Sequence, residues 1–281
     1  MKIIKPINNN IVSAYDSDGH EVILMGRGIG YKAKENTNIP DNSIEKIFFM
    51  DNQDVTNRLK KLLLNVPMKY IEISDEIINY AKNLLHKELN QAIYVTLIDH
   101  INFAIMRYKK GLVFQNVLLM EVRRFYFQEY SVGKYALELI ENKLGISFPE
   151  DEAASIALHI VNAEYETTLN ETMDIARIAN KILEFAFSEM NIIPNKQSAN
   201  YEIFVTYLKF LAQNIVKKEN ESYSDPKLNE VIALLYPDEY KCSQNIALWV
   251  EKQYDFLLSE DEIIHITLYI RRNKEDLNKN S

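Results

Sequence analysis

The sequence is poor in cysteine, glycine and proline. Its one cysteine, Cys242, cannot form an internal disulfide, which favours a reducing compartment. Seven glycines and seven prolines are few for 281 residues, so we expect long secondary-structure elements rather than many short turns. A chain of this length has room for two or three domains.

Long apolar runs and an excess of basic residues are also absent. No stretch approaches the roughly 20 apolar residues that span a bilayer, and MKIIKPINNN lacks the apolar core of a signal peptide. We therefore expect a cytoplasmic protein without membrane insertion. The net charge of -8 argues against coating nucleic acid by bulk electrostatics. Any nucleic-acid site must be small, local and specific in shape.

The first fifty residues carry short runs rich in β-branched residues. These are KIIKPI (2–7), IVSAY (11–15), EVILM (21–25) and IEKIFFM (44–50). An Asp18-Gly19 turn between the second and third runs favours a hairpin. The sequence predicts a small antiparallel β unit, which must dimerise or pack on another domain to bury enough core.

The remainder is helical in pattern after Pro67. Ser74-Asp75-Glu76 predicts a helix start with an N-cap and first-turn acids. Gln91 to Tyr108 predicts a long, buried helix, and Pro149 opens another. The polar stretch 164–173 is typical of a linker. The predicted class is therefore α+β, a small antiparallel sheet followed by two tandem all-α helical bundles.

The two helical parts are copies of one module. Residues 126–160 recur at 236–270, where Glu150-Asp151-Glu152 returns as residues 260–262 and His159 is replaced by Tyr269. The segment 97–103 aligns more faintly with 204–210 and places Tyr207 where the first copy has His100. Tyrosine keeps much of the packing area of histidine but loses its titratable nitrogens. Loss of both histidines together favours a chemical role for them in the first copy.

Each histidine alone has a structural interpretation as a buried, hydrogen-bonded side chain. In the functional interpretation, Asp99 beside His100 fixes the tautomer of the imidazole and raises its basicity. Asp99, His100, Glu152 and His159 could also ligate a metal if their helices meet, although no HExxH or CxxC spacing supports this. His265 shares a helix face with Tyr269, and a structural role is expected for it.

Candidate nucleic-acid contacts cluster in the β unit. Arg27 lies between Gly26 and Gly28, which permits close backbone approach to a phosphate or guanine. Tyr31 is suited to stacking on a base, and Asn10 offers paired donor and acceptor groups. Three lysines are candidate phosphate contacts: Lys5, Lys32 and Lys34.

Taken together, these motifs resemble the BglG/LicT/SacY family of transcriptional antiterminators along the whole chain. The matching motifs are INNN (7–10), MGRGIGY (25–31), IEKIFFM (44–50), IDHINFAI (98–105) and PEDEAASIALHIVNAE (149–164). The resemblance implies an RNA-binding domain at 1–56, a linker at 57–67, and two phosphotransferase-system regulation domains (PRDs) at 68–170 and 171–281.

The resemblance also implies a mechanism. A homodimer clamps a nascent RNA hairpin that overlaps a terminator, with Lys5, Asn10, Gly26, Arg27 and Tyr31 at the RNA-contacting positions. The sugar-specific enzyme II of the phosphotransferase system phosphorylates histidines of the first PRD, here His100 and His159, and switches the protein off. No enzymatic activity, cofactor or metal is implied.

The second PRD departs from the family at both expected phosphorylation sites, Tyr207 and Tyr269. We therefore expect activation by the phosphocarrier HPr to be absent or much reduced. One alternative from another class is a helical metal-dependent hydrolase using Asp99, His100 and His159. Another is a DNA-binding first domain, which the lack of a helix-turn-helix pattern before Pro67 disfavours.

Overall fold

The computed structural model describes residues 1–31, 33–49, 53–112, 114–219 and 225–279, with the side chains of 276–279 excepted. The chain divides into two compact units. The first comprises Met1–Leu119 with Tyr126–Leu169, and the second comprises Met120–Phe125 with Asn170–Ser281. A four-stranded antiparallel sheet precedes a series of helices, which confirms the predicted α+β class.

All four strands precede the α-helices along the chain. The strands are β1 (Lys2–Asn8), β2 (Ile11–Tyr15), β3 (Glu21–Met25) and β4 (Lys46–Phe48). The helices of the first unit are α1 (Gln53–Asn65), α2 (Met68–Leu85), α3 (Ile93–Lys109), α5 (Phe127–Leu144) and α6 (Glu150–Tyr165). Those of the second are α4 (Leu119–Phe125, from Met120 on), α7 (Leu169–Glu189, from Asn170 on), α8 (Ala199–Lys217), α9 (Pro226–Leu235), α10 (Pro237–Tyr254) and α11 (Glu260–Lys279).

The sheet is a meander with strand order β1-β2-β3-β4, every neighbouring pair antiparallel. The predicted hairpin is present, since Ile11 pairs with Met25 at one end and Tyr15 with Glu21 at the other. In its turn, Asp16 Oδ1 accepts the N–H groups of residues 18 and 20 at 2.9 and 2.8 Å. Gly19 takes a φ of +85° there, a value that glycine adopts without strain.

Both faces of the sheet are buried. Phe48 and its neighbours on one face share a hydrophobic cluster with Leu59 and Leu63 of α1. The other face is covered by the chain between β3 and β4, where Ile39 packs with the partly buried Ile29 and Ile44. Each fully buried large aliphatic side chain contributes roughly 1.5–3 kcal/mol. One face of the sheet therefore packs on α1, which occupies most of the predicted linker.

Polar contacts fix the sheet on its helices. Lys46 Nζ lies 2.9 Å from Asp75 Oδ1, and Tyr94 donates its hydroxyl to the same carboxylate at 3.1 Å. The ring of Tyr94 meets Phe48 edge to face, with centroids 4.9 Å apart. Lys60 of α1 also pairs with a carboxylate of β3, that of Glu21. These contacts connect β3 and β4 to α1, α2 and α3.

The predicted start of α2 at Ser74 is wrong. The helix begins at Met68, directly after Pro67, and Ser74 lies inside it, where its hydroxyl donates to the carbonyl of Tyr70 at 2.8 Å. Burial of Ile71 and Ile73 explains the extra turns. Packing of these side chains in the tertiary core stabilises helix before Ser74, although the local sequence suggests a helix start there. The helices predicted over 91–108 and after Pro149 are confirmed as α3 and α6. Among the described helices, none is long and apolar enough to cross a membrane.

The helices α5 and α6 approach to backbone contact at Gly133. A Cβ at this position would stand 2.1 Å from the carbonyl oxygen of Ala153, closer than any side chain can lie. The fully buried Ala153 and Ala154 keep the facing surface of α6 equally flat. Glycine is therefore required by the packing of the two helices.

Replacing Gly133 by alanine should destabilise the first unit by about 1–3 kcal/mol, because the methyl group forces two backbones apart. Chemical denaturation of the full chain, followed by circular dichroism, measures the loss. Lys134→Ala, on the exposed side of the same helix, should stay within about 0.5 kcal/mol. Equal stability of Gly133→Ala and the unmodified chain would contradict the close approach.

Candidate functional site

The two histidines singled out from the sequence face each other where α3 meets α6. The ring centroids of His100 and His159 are 4.8 Å apart, and the ring planes are tilted by 48°. The side chain of His100 is 14% exposed, whereas His159 is buried. The spatial pairing that the sequence left open is thus present.

A carboxylate connects this pair to a guanidinium. Glu152 Oε2 lies 3.2 Å from Nε2 of His100, and Oε1 accepts a hydrogen bond from Nη2 of Arg107 at 2.5 Å. The Glu152 side chain is only 4% exposed, and a buried carboxylate is costly unless a cation pairs with it. Arg107 supplies that cation, and its guanidinium also packs on the rings of Phe103 and Phe114.

The predicted role of Asp99 is not supported by this geometry. Asp99 lies on the exposed side of α3, and the carboxylate that faces His100 is Glu152 of α6. Adjacent residues on a helix point about 100° apart, so Asp99 and His100 cannot both face α6. Arg107 was missed in the sequence. One signal was available. Arg107 follows His100 by seven residues, as His159 follows Glu152, and residues seven apart lie near the same face of a helix.

Burial keeps His159 neutral. Loss of solvation, together with the nearby imidazole of His100, lowers the pKa of His159 to about 3. Its Nδ1 makes no hydrogen bond within the described part of the protein, and the same holds for Nε of Arg107. Nε2 of His100 and Oε2 of Glu152 are within ion-pair distance but not aligned for a hydrogen bond. Within the described part of the protein, the site therefore contains buried donor and acceptor atoms that make no hydrogen bond.

A cavity of about 570 Å³ opens beside these groups. Arg107 and Glu152 form part of its wall, and Phe114, Phe148 and Pro149 contribute apolar surface. The histidine site thus borders a space that is large enough for its charged side chains to move.

The second module repeats this geometry with tyrosines. The rings of Tyr207 and Tyr269 lie 4.9 Å apart and are tilted by 38°, close to the histidine pair. The burial of residues 204–210 matches that of 97–103 position by position, which supports the faint alignment made from sequence. Burial, reinforced by Glu262 and Tyr269, raises the pKa of Tyr207 well above its usual value. Its hydroxyl stays protonated and is a poor nucleophile.

His265 lies beside the tyrosine pair but remains exposed. Its ring centroid is 5.7 Å from that of Tyr207, and its Nδ1 is 3.4 Å from Asp261 Oδ2 on the same helix. Its side chain is 47% exposed. The predicted sharing of a face with Tyr269 is confirmed, because both residues contact Tyr207.

The acids that open α6 and α11 are used differently. In the second module, Glu262 Oε2 accepts the N–H of Ser259 at 2.7 Å, and the Ser259 hydroxyl accepts the N–H of Glu262 at 3.2 Å. This is a reciprocal helix cap of the Ser-x-x-Glu type. The first module has Pro149 in place of Ser259, and proline has neither a hydroxyl nor an N–H. Glu152 is therefore free to reach His100 and Arg107.

Three of the five predicted RNA-contacting residues have exposed side chains. Lys5 lies on β1, and Arg27 and Tyr31 lie in the loop after β3, where Tyr31 is 66% exposed. Arg27 and Tyr31 also border one surface cleft of about 290 Å³. Lys34 is exposed, and Lys32 lies outside the described residues.

The other two residues shape the loop. Asn10 Oδ1 accepts the N–H of Gly28 at 2.8 Å, and its backbone carbonyl accepts that of Gly26 at 2.9 Å. Gly26 is buried, and a Cβ there would lie 2.1 Å from the carbonyl oxygen of Ser43. Asn10 and Gly26 therefore hold the backbone that presents Arg27.

The stability of the first unit should depend on pH through His159. The folded state keeps this imidazole neutral down to about pH 3, whereas the unfolded chain protonates it below about 6.5. The unfolded state thus binds more protons between these values, so stability falls as the pH falls below 6.5. The loss is at most about 1.4 kcal/mol for each pH unit.

Denaturation between pH 7 and 5 measures this effect. His159→Tyr, the residue of the second module, should flatten the pH dependence relative to the unmodified chain. The exposed His86 caps α2, and His86→Asn should leave the dependence unchanged. Parallel curves for the unmodified chain and His159→Tyr would show that His159 is not held neutral.

Comparisons with known proteins agree with this organisation. Residues 1–57 match the CAT RNA binding domain, and residues 75–163 and 180–273 match the PRD domain. The chain is similar to a crystal structure of GlcT CAT-PRDI, at 36% identity and a TM-score of 0.53, covering 58% of this chain and 97% of that one.

Relatives match along nearly the whole chain. Transcription antiterminator LicT of Bacillus subtilis is 42% identical, over 97% of this chain and 98% of its own length. The Beta-glucoside operon antiterminator of Dickeya chrysanthemi is 36% identical, over 99% and 98%. Protein GlcT of Staphylococcus aureus is 30% identical over the same shares. With an RNA-binding sheet followed by two PRD domains, the chain belongs to the BglG/LicT family of transcription antiterminators.

Proposed function

We propose that the chain binds, as a homodimer, a nascent RNA hairpin that overlaps a terminator, and that phosphorylation of His100 and His159 controls this binding in response to a sugar. The proposal rests mainly on the histidine pair between α3 and α6, in a chain whose first 57 residues match an RNA-binding domain. The homodimer follows from the family resemblance. A β-glucoside is the first sugar to test, since one relative is named for a β-glucoside operon.

The RNA site is small and built around one loop. Arg27 and Tyr31 supply a guanidinium for phosphate or guanine and a ring for stacking, while Asn10 and Gly26 fix the backbone between them. Such a site does not require a basic chain, which agrees with the net charge of -8. Lys5 on β1 adds one exposed cation.

The regulatory chemistry is phosphoryl transfer between imidazoles. The lone pair of an unprotonated ring nitrogen attacks the phosphorus of a donor phosphohistidine. The P–N bond of the donor then breaks, and its electron pair returns to the donor imidazole. His159 is held neutral, so its lone pair is available, and the more exposed His100 is the easier one to reach. The donor that we propose is the sugar-specific enzyme II.

The two tyrosine positions of the second PRD do not take part in this exchange. Tyr207 and Tyr269 lack the ring nitrogens, and burial holds the hydroxyl of Tyr207 protonated. A tyrosine phosphate ester also does not return its phosphoryl group readily to a histidine relay. We therefore propose that activation by HPr through the second domain is absent or much reduced.

The alternative of a metal-dependent hydrolase is not supported. Its three proposed residues do not converge, because Asp99 is exposed on α3 while His100 faces α6. Among the described residues, the one group with metal-ligand spacing is Asp16, Asp18 and His20, in an exposed turn far along the chain from the histidine pair. The relatives are antiterminators.

Arg27→Ala should weaken binding to an RNA hairpin. The hairpin is taken from the leader transcript adjoining the gene of this protein, at the place where it overlaps a terminator. Loss of one guanidinium contact costs about 1–3 kcal/mol, which corresponds to roughly a 5- to 150-fold rise in Kd. Fluorescence anisotropy measures it. Arg177→Ala, an exposed arginine of the second unit, should bind like the unmodified chain. Tighter binding to duplex DNA of the same sequence would contradict an RNA site.

His100→Ala combined with His159→Ala should make antitermination independent of sugar. A reporter placed behind the terminator measures readthrough, which should reach the induced level without sugar because no negative charge can be added. Tyr207→Phe with Tyr269→Phe should leave the sugar response intact. A persistent sugar response without both histidines, or phosphate transferred from HPr to Tyr207, Tyr269 or His265, would contradict the proposal.

A further inference from the structure

We propose that Arg107 binds the phosphoryl group carried by His100 in the first PRD. It holds Glu152 while His100 is unmodified, and it moves to the phosphoryl group when Nε2 of His100 carries one. This inference rests on the proposed phosphorylation of His100 and names the residues through which the added charge acts.

The first step is displacement of Glu152. Its Oε2 lies 3.2 Å from Nε2 of His100, next to the space that a phosphoryl group on this nitrogen must occupy. A phosphoryl group brings about two negative charges. At this distance, in a site where Glu152 is 4% exposed, repulsion between the two anions is strong. The carboxylate must leave.

The second step is capture by Arg107. A guanidinium binds phosphate through two parallel hydrogen bonds, and its charge does not titrate. Arg107 uses Nη2 for Glu152, while its buried Nε has no hydrogen-bond partner in the described part of the chain. One donor is therefore already free. The contacts with Phe103 and Phe114 hold the plane of the guanidinium beside the histidine pair.

The surroundings allow the exchange. The cavity of about 570 Å³ has both Arg107 and Glu152 in its wall. A carboxylate displaced from His100 therefore has adjacent space to turn into. Because the Arg107–Glu152 pair links α3 to α6, the exchange removes a contact between these two helices.

The second module lacks each part of the arrangement. Asn214 occupies the position of Arg107 in the alignment of α3 with α8, and the carboxylate of Glu262 caps its own helix through Ser259. The difference between Pro149 and Ser259 therefore decides whether the equivalent acid caps a helix or links two helices.

Phosphorus NMR tests the inference on the full chain treated with phosphoramidate. Nε2 attacks phosphorus, the P–N bond to the amine breaks, and ammonia leaves with the bonding electrons. The His100 resonance is the one absent from His100→Ala, and mass spectrometry confirms its place. A nearby guanidinium lowers the pKa of the phosphoryl group. In Arg107→Gln/Glu152→Gln, we expect the titration midpoint to lie about one pH unit above that of Glu152→Gln, from which it differs only at residue 107.

The double variant avoids leaving a buried carboxylate unpaired, so that it can fold. Glu152→Gln alone should keep the low midpoint of the unmodified chain, because Arg107 remains. Arg177→Gln is the control for loss of an exposed arginine and should change nothing. Identical midpoints in the double variant and Glu152→Gln would overturn the role of Arg107 and leave the proposed phosphorylation standing. If His100 takes up no phosphate, the proposed phosphorylation is wrong, and so is this inference.

Discussion

The first regulation domain depends on one buried carboxylate. Glu152 carries a charge that water hardly reaches, and its partners, His100 and Arg107, both come from α3. Breaking a buried ion pair costs about 3–5 kcal/mol, which is comparable to the few kcal/mol that separate conformations of a protein. A change of charge at this point therefore acts directly on the contact between α3 and α6, without a long route through the domain.

The two modules show how a duplicated fold can keep its packing and lose its chemistry. The aromatic pairs have nearly the same ring spacing, 4.8 and 4.9 Å, so tyrosine satisfies the geometry that histidine sets. The acids at the start of α6 and α11 are identical in sequence, yet Ser259 engages Glu262 where Pro149 leaves Glu152 free. One residue outside each helix thus changes what a glutamate inside it contacts.

Local pattern predicted much of this chain. The Asp-Gly hairpin, α3, α6 and the histidine-to-tyrosine replacements all follow from periodicity, turn residues and repetition. The start of α2 did not, because burial of Ile71 and Ile73 in the tertiary core extends the helix beyond its local cap signal. Asp99 was preferred over Glu152 because sequence proximity is visible, whereas the direction of a side chain depends on which helix lies opposite. The role of Arg107 could not be predicted for the same reason, because its partner Glu152 lies on the opposite helix.

The contact at Gly133 has a mechanical consequence. At Gly133 the backbones of α5 and α6 touch, so no side chain at this point can rearrange to absorb a shift. We therefore expect α5 and α6 to move together at this contact. A displacement of α6 should therefore be passed on to α5, and to whatever packs on the far side of α5, with little loss.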